Sequence, residues 1–133
     1  MDRNKLVKFI IFLMVFMFVT DMVATKFFLY YSISWFDMMM HFLGGLWVGL
    51  FFIWFFPPKD TSFVSIVKIF LFVLFVGILW EFFELYVNNF LARMSFNPRD
   101  TLSDIFFDLG GGLLAVLYLF KSGVMPKSSN KVQ

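Results

Sequence analysis

Residues 63–90 read FVSIVKIFLFVLFVGILWEFFELYVNNF, and the apolar length of this run decides the class of the chain before any motif is sought. A helix needs about 20 residues to cross the hydrocarbon core of a bilayer, and this run supplies them. Lipid satisfies no backbone hydrogen bonds, so a span this apolar must be helical, and nothing in the chain shows the period-two alternation of a membrane barrel. Working outward, three further runs meet the same criterion, at about 6–30, 35–56 and 102–120. The expected fold is all-α, a polytopic four-transmembrane-helix bundle forming one domain over residues 1–133. Asp21 and Lys26 interrupt the first run late, Pro57-Pro58 ends the second, and Asn97-Pro98 marks the last turn before the fourth.

Composition agrees with that reading. With 61% hydrophobic residues, 23 phenylalanines in 133 positions and a mean hydropathy of +0.85, the apolar surface exceeds what one small soluble core can bury. The absence of cysteine removes disulfides, thiolate metal sites and a Cys nucleophile. A net charge of +2 calls for no nucleic-acid partner; the lipid bilayer is the partner, and the basic residues report topology. Arg3, Lys5 and Lys8 precede the first helix, Lys59 and Lys68 flank the second loop, and Lys121, Lys127 and Lys131 follow the last helix. Only Lys26, Arg93 and Arg99 fall on the other side, which places both termini in the cytoplasm. Tyr30, Tyr31 and Trp35 then form the outer aromatic belt and Trp54 the inner one. Residues 1–20 are read as a retained helix rather than a cleaved leader, since no small-residue cleavage site precedes Asp21.

On this topology the ionisable residues gather at one level. Asp37 and His41 open the second helix, Glu81 and Glu84 lie late in the third, and Asp104 and Asp108 are early in the fourth. His41 and Asp108 stand roughly 9 Å inside their helix starts, and Glu81 is at a comparable depth. The i, i+4 and i, i+3 spacings put each pair on one face of its helix, so three helices can aim ligands at one cavity, with Asp21 placed to join from the first. An acid at the centre of a span costs roughly 2.5–3.5 kcal/mol on insertion scales, so five of them approach the roughly 5–15 kcal/mol stability of a whole domain. Water, shared protons, pairing with Arg99 or Lys26, or a bound cation would have to compensate them. A cation is the simplest single solution.

The strings from Asp37 to Gly45 (DMMMHFLGG), Trp80 to Glu84 (WEFFE) and Arg99 to Gly111 (RDTLSDIFFDLGG) resemble the YjdF-type inner-membrane proteins. They are also similar to the wider VanZ-like group, in which Asp and His open one helix, an acid lies in the next, and Arg precedes a helix with Asp, a polar residue and glycine. The resemblance covers the second to fourth helices. Where the VanZ-like pattern has Gln and Asn, this chain has Glu84 and Asp108, a more acidic site. The resemblance implies a small multi-pass bundle in a prokaryotic cytoplasmic (inner) membrane and carries no settled reaction.

Simpler roles compete at each position. Asp37 and His41 could only hydrogen-bond locally to fix a helix start, and Asp100 and Asp104 could be helix caps. Arg99 could be an interfacial snorkeller rather than a group that holds anionic head groups. Gly45-Leu-Trp-Val-Gly49 and Gly110-Gly111-Gly112 read as packing faces that bring helices together. No phosphate-cradling loop, Rossmann turn or Ser/His nucleophile arrangement appears.

Two functional classes follow. In one, a membrane-embedded hydrolase or transferase acts on a lipid-linked or envelope substrate. His41, Glu81, Asp104 and Asp108 hold a divalent metal ion (Mg, Mn or Zn), Asp37 orients the imidazole, Glu84 serves as general base and Arg99 meets substrate anion. In the other, a small transporter or proton- or ion-coupled protein uses the acids as a relay, and four helices would then require a homo-oligomer.

Overall fold

The computed structural model describes residues 2–87 and 97–122. Five helices follow in order: α1 (Arg3–Lys26), α2 (Leu29–Ser32), α3 (Phe36–Phe55), α4 (Phe63–Val87) and α5 (Pro98–Lys121). Four of them, all but the short α2, are long and apolar enough to cross a membrane, and no strand occurs among the described residues.

Local chemistry sets the helix ends, in places differently from the apolar runs. α1 begins at Arg3, before the apolar run, because the Asp2 carboxylate caps it by accepting from the amides of Asn4 (3.0 Å) and Lys5 (3.3 Å). It stops at Lys26 instead of reaching Tyr30. Phe28 adopts φ 55°, a left-handed conformation rare for a bulky side chain, and this breaks the ladder before α2. The Tyr30 hydroxyl then donates to Asp21 (2.7 Å), tying α2 back to α1. α4 starts behind Ser62, whose hydroxyl accepts from the amide of Ser65 (3.4 Å). α5 starts at Pro98, a turn earlier than the apolar run, since Asn97-Pro98 is its N-cap and first residue rather than a preceding turn. The expected end of the third span at 88–90 lies outside the described residues, as do Arg93, Lys127 and Lys131.

α3 is the hub. It packs most extensively on α5, and the two run parallel: His41 meets Asp104 and Asp108, while one to two turns further on Gly49 meets Gly112 and Ala115. Their backbones touch. A Cβ added at Gly45 would collide with the Asp108 carbonyl, one at Gly111 with the Phe42 carbonyl, and one at Gly49 would sit 2.7 Å from the Ala115 Cβ. This close approach is what small-xxx-small faces do in lipid, where packing and dispersion rather than solvent exclusion hold helices together. α4 runs antiparallel along both and buries only the stripe Ile69, Val73 and Gly77, spaced four residues apart. α1 joins α3 alone among the long helices, antiparallel to it, with Trp47 donating to the Ile10 carbonyl (3.1 Å) and Arg3 to the Trp54 carbonyl (2.9 Å).

The core lies in the half of the bundle away from the acids. Leu6, Leu50, Ile53, Ile69 and Leu119 are all within 1% of complete burial. Phe12, Phe18, Phe63, Phe75 and Leu117 look outward, as expected of a surface that meets acyl chains rather than water.

Candidate functional site

The site is built at the other end, where α3 and α5 start and α4 finishes. Because α3 and α5 run parallel, Asp37 and His41 on one climb beside Asp100, Asp104 and Asp108 on the other, each residue one turn above the last. α4 comes from the opposite direction and delivers Glu81 and Glu84 to the same level.

His41 is at the centre. Its Nδ1 lies 3.4 Å from Asp108 Oδ1 and its Nε2 lies 4.0 Å from Asp104 Oδ2, with all three side chains at least nine-tenths buried. Around it, His41, Glu81, Glu84 and Asp104 each present one donor atom, and these atoms all lie within 4.8 Å of one another. Asp37, Asp100 and Asp104 form a second group with the same property. Two donors on one cation at roughly 2.0–2.2 Å are separated by at most about 4.4 Å, and at the roughly 2.3–2.6 Å of calcium by about 5 Å. Small side-chain adjustments therefore suffice to close the first group on an ion.

Two polar atoms in this region have no hydrogen-bond partner although they are buried: Glu81 Oε1 and Asp104 Oδ1. Unsatisfied buried carboxylate oxygens are costly in a low-dielectric interior, and more so in a membrane. Asp104 is only 2% exposed, so solvent does not reach it from the protein surface.

The structure distributes the residues differently from their sequence order. The carboxylates paired with His41 are Asp104 and Asp108; Asp37 is not among its ion-pair partners despite the i, i+4 spacing on α3. Asp108 stands behind the imidazole, while Glu84 is grouped with His41, Glu81 and Asp104. Asn97, not Asp100, caps α5: its side chain accepts from the amide of Arg99 (3.3 Å). The Asp100 carboxylate is thereby left to the second group. Asp21 is outside both groups, held by Tyr30 on the exposed flank of α1. Arg99 is exposed in the first turn of α5.

One residue escaped sequence reasoning. Gly77 of α4 lies against the Asp108 carboxylate, so close that a Cβ there would fall 2.6 Å from Oδ2. With Gly45 pressed on the Asp108 backbone and Gly44 beside its Oδ1, it forms a slot that fixes this side chain against His41. The available signal was a lone glycine in a strongly apolar helix, four residues before Glu81 and thus on the same face.

A multi-pass, four-span membrane protein with an imidazole and carboxylates buried together at one end is the class that the fold and this cluster define. Within that class, the chain belongs to the family described as "Predicted membrane protein (DUF2238)", which matches residues 1–123 and so takes in α1 as well as the three helices that carry the acids. No curated protein and no solved structure matches it.

Proposed function

We propose that the acidic end is an intramembrane divalent-cation site, and that it serves a hydrolase or transferase acting on a lipid-linked or envelope substrate. The observation that carries this is the convergence of four donors within 4.8 Å, together with an Asp104 oxygen, Oδ1, that is buried with no hydrogen-bond partner. His41, Glu81, Glu84 and Asp104 are the ligands in this reading. An imidazole with three carboxylates suits Mg, Mn or Zn. Asp108 Oδ1 lies 3.4 Å from His41 Nδ1, which in this reading leaves Nε2 for the cation in a carboxylate–histidine–metal arrangement. The bound cation would act as a Lewis acid toward an ester or phosphoryl oxygen. Exposed Arg99 would meet an anionic head group in this reading.

The positive charges flanking the other end support an extracytoplasmic position for the site, with both termini in the cytoplasm of a prokaryotic cell. The motifs on α3, α4 and α5 support kinship with the YjdF-type and VanZ-like proteins. Against a proton or ion relay stands the material beneath the cluster: Leu46, Leu50, Ile53, Ile69, Val73 and Leu119 are apolar and buried, and they give no polar path toward the basic end among the described residues. A relay would need an oligomer to supply one.

Elemental analysis of protein purified without chelator tests the proposal. Stoichiometric divalent metal that is lost in His41→Ala supports it. Metal-free protein that also fails to bind added Mg, Mn or Zn rules it out.

A further inference from the structure

Asp104 belongs to both donor groups, one with His41, Glu81 and Glu84 and the other with Asp37 and Asp100. We propose that the acidic end holds a pair of divalent cations bridged by the Asp104 carboxylate, with the second cation bound by Asp37 and Asp100. This rests on the reading of the first group as a cation site.

The helix geometry makes the two groups successive tiers of one structure. On α5 the acids recur every fourth residue, at Asp100, Asp104 and Asp108, and on α3 Asp37 stands one turn before His41. Parallel packing, with Gly45 against Asp108 and Gly49 against Gly112, then matches Asp37 with Asp100 in an outer tier and His41 with Asp104 in an inner one, about one 5.4 Å turn apart. Asp104 belongs to the inner tier and also reaches the outer one, since it shares a donor group with Asp37 and Asp100. A carboxylate in that position can bind one ion through each oxygen, as in two-metal sites where the ions are roughly 3.5–4 Å apart.

The two oxygens of Asp104 are not equivalent. Oδ2 faces His41 Nε2 at 4.0 Å, whereas Oδ1 is buried with no hydrogen-bond partner. An ion held by Oδ2 alone beside His41 would leave Oδ1 orphaned, and a second ion on Oδ1 would satisfy it. Charge points the same way. Both groups together with Asp108 hold six carboxyl groups and one imidazole, and one dication offsets only part of that charge in a low-dielectric end of the bundle. Asp100 is also free to serve, since Asn97 carries the helix cap. The outer tier is the more open, Asp37 half-buried and Asp100 exposed, so the second ion should exchange faster than the first.

Mn2+ is the probe. Full-length protein in detergent or nanodiscs is stripped with chelator, equilibrated with Mn2+, and examined by elemental analysis and low-temperature electron paramagnetic resonance. The expected result is about two Mn2+ per chain with a spectrum broadened by spin coupling across the bridge. Asp37→Asn and Asp100→Asn should each reduce the content to about one and restore the resolved hyperfine lines of an isolated ion. Neither position is in the packed core, so both variants should fold, which a monodisperse gel-filtration profile checks. About one Mn2+ in the wild-type protein, unchanged in both variants, overturns the bridged pair and leaves the inner site standing. No bound Mn2+ at all removes the inner site and the pair together.

Discussion

The α3–α5 interface is one continuous helix pairing with two unlike halves. Toward the basic end, Leu50, Ile53, Ala115 and Leu119 close it with apolar side chains that need nothing but contact. Toward the acidic end, Gly44, Gly45, Gly111 and Gly112 remove side chains from the seam, and the space goes to His41, Asp104 and Asp108. Close backbone approach serves both halves, but in the acidic half it holds charged groups within a few ångströms of one another in a membrane. The first half is explained by packing alone. The second leaves a buried oxygen, Asp104 Oδ1, without a hydrogen-bond partner, and that difference is why a ligand is proposed there.

The largest effect should come from invading the seam. Gly45→Val meets the Asp108 carbonyl at backbone level, where nothing can yield, so the variant should fail to accumulate as folded protein in membranes. Gly110→Ala, whose Cβ would reach the Phe42 ring at 3.4 Å, should be tolerated, and equal expression of both would dissolve the contrast between seam and flank. Next, the two halves should respond oppositely to truncation. Leu50→Ala removes fully buried volume and should cost about 2 kcal/mol or more in unfolding without changing metal content; His41→Ala should abolish metal binding and with it any stabilisation by cation. Denaturation monitored with and without added cation separates the two.

Asp108→Asn and Gly77→Ala sharpen the comparison within the acidic half. Each disturbs the group behind His41 rather than a ligand, and loss of such support typically weakens metal binding about 10–100-fold with stoichiometry retained. Titration with a competing chelator reads this directly, and an unchanged affinity in both variants would assign Asp108 a packing role. Acidification should also release the cation, because protons compete for His41 and the carboxylates, while leaving the apolar half intact. Smallest of all, Arg3→Ala removes an exposed hydrogen bond from α1 to the end of α3 and should lower stability by about 0.5 kcal/mol, with no effect on metal.

Much of this was legible in the sequence, and what was not has a common cause. The four spans follow from apolar length, the facing of Glu81 and Glu84 from i, i+3 spacing, and the packing faces of α3 and α5, though not that they meet each other, from Gly45, Gly49 and the Gly110–Gly112 run. Those are properties of one helix at a time. Which carboxylate lies behind His41 depends on the relative height of two helices, and there the spacing of Asp37 and His41 pointed to a partner that the parallel register of α5 replaces with Asp108. Gly77 is informative only once Asp108 is known to lie opposite. The break at Phe28 has no Gly or Pro to announce it, whereas Asn97-Pro98, which reads as the turn before the fourth helix because the apolar run begins only at 102, carries the ordinary N-cap pattern and is the helix start itself.

The central claim is that the acidic half of the seam is completed by a divalent cation. The most direct test is the melting temperature of the chelator-stripped wild-type protein as Mg2+, Mn2+ or Zn2+ is added. Binding to the folded state alone should raise stability by about 2.7 kcal/mol at a hundredfold excess over the dissociation constant, with no rise in Asp104→Asn. A wild-type melting temperature that none of the three cations moves would contradict the account.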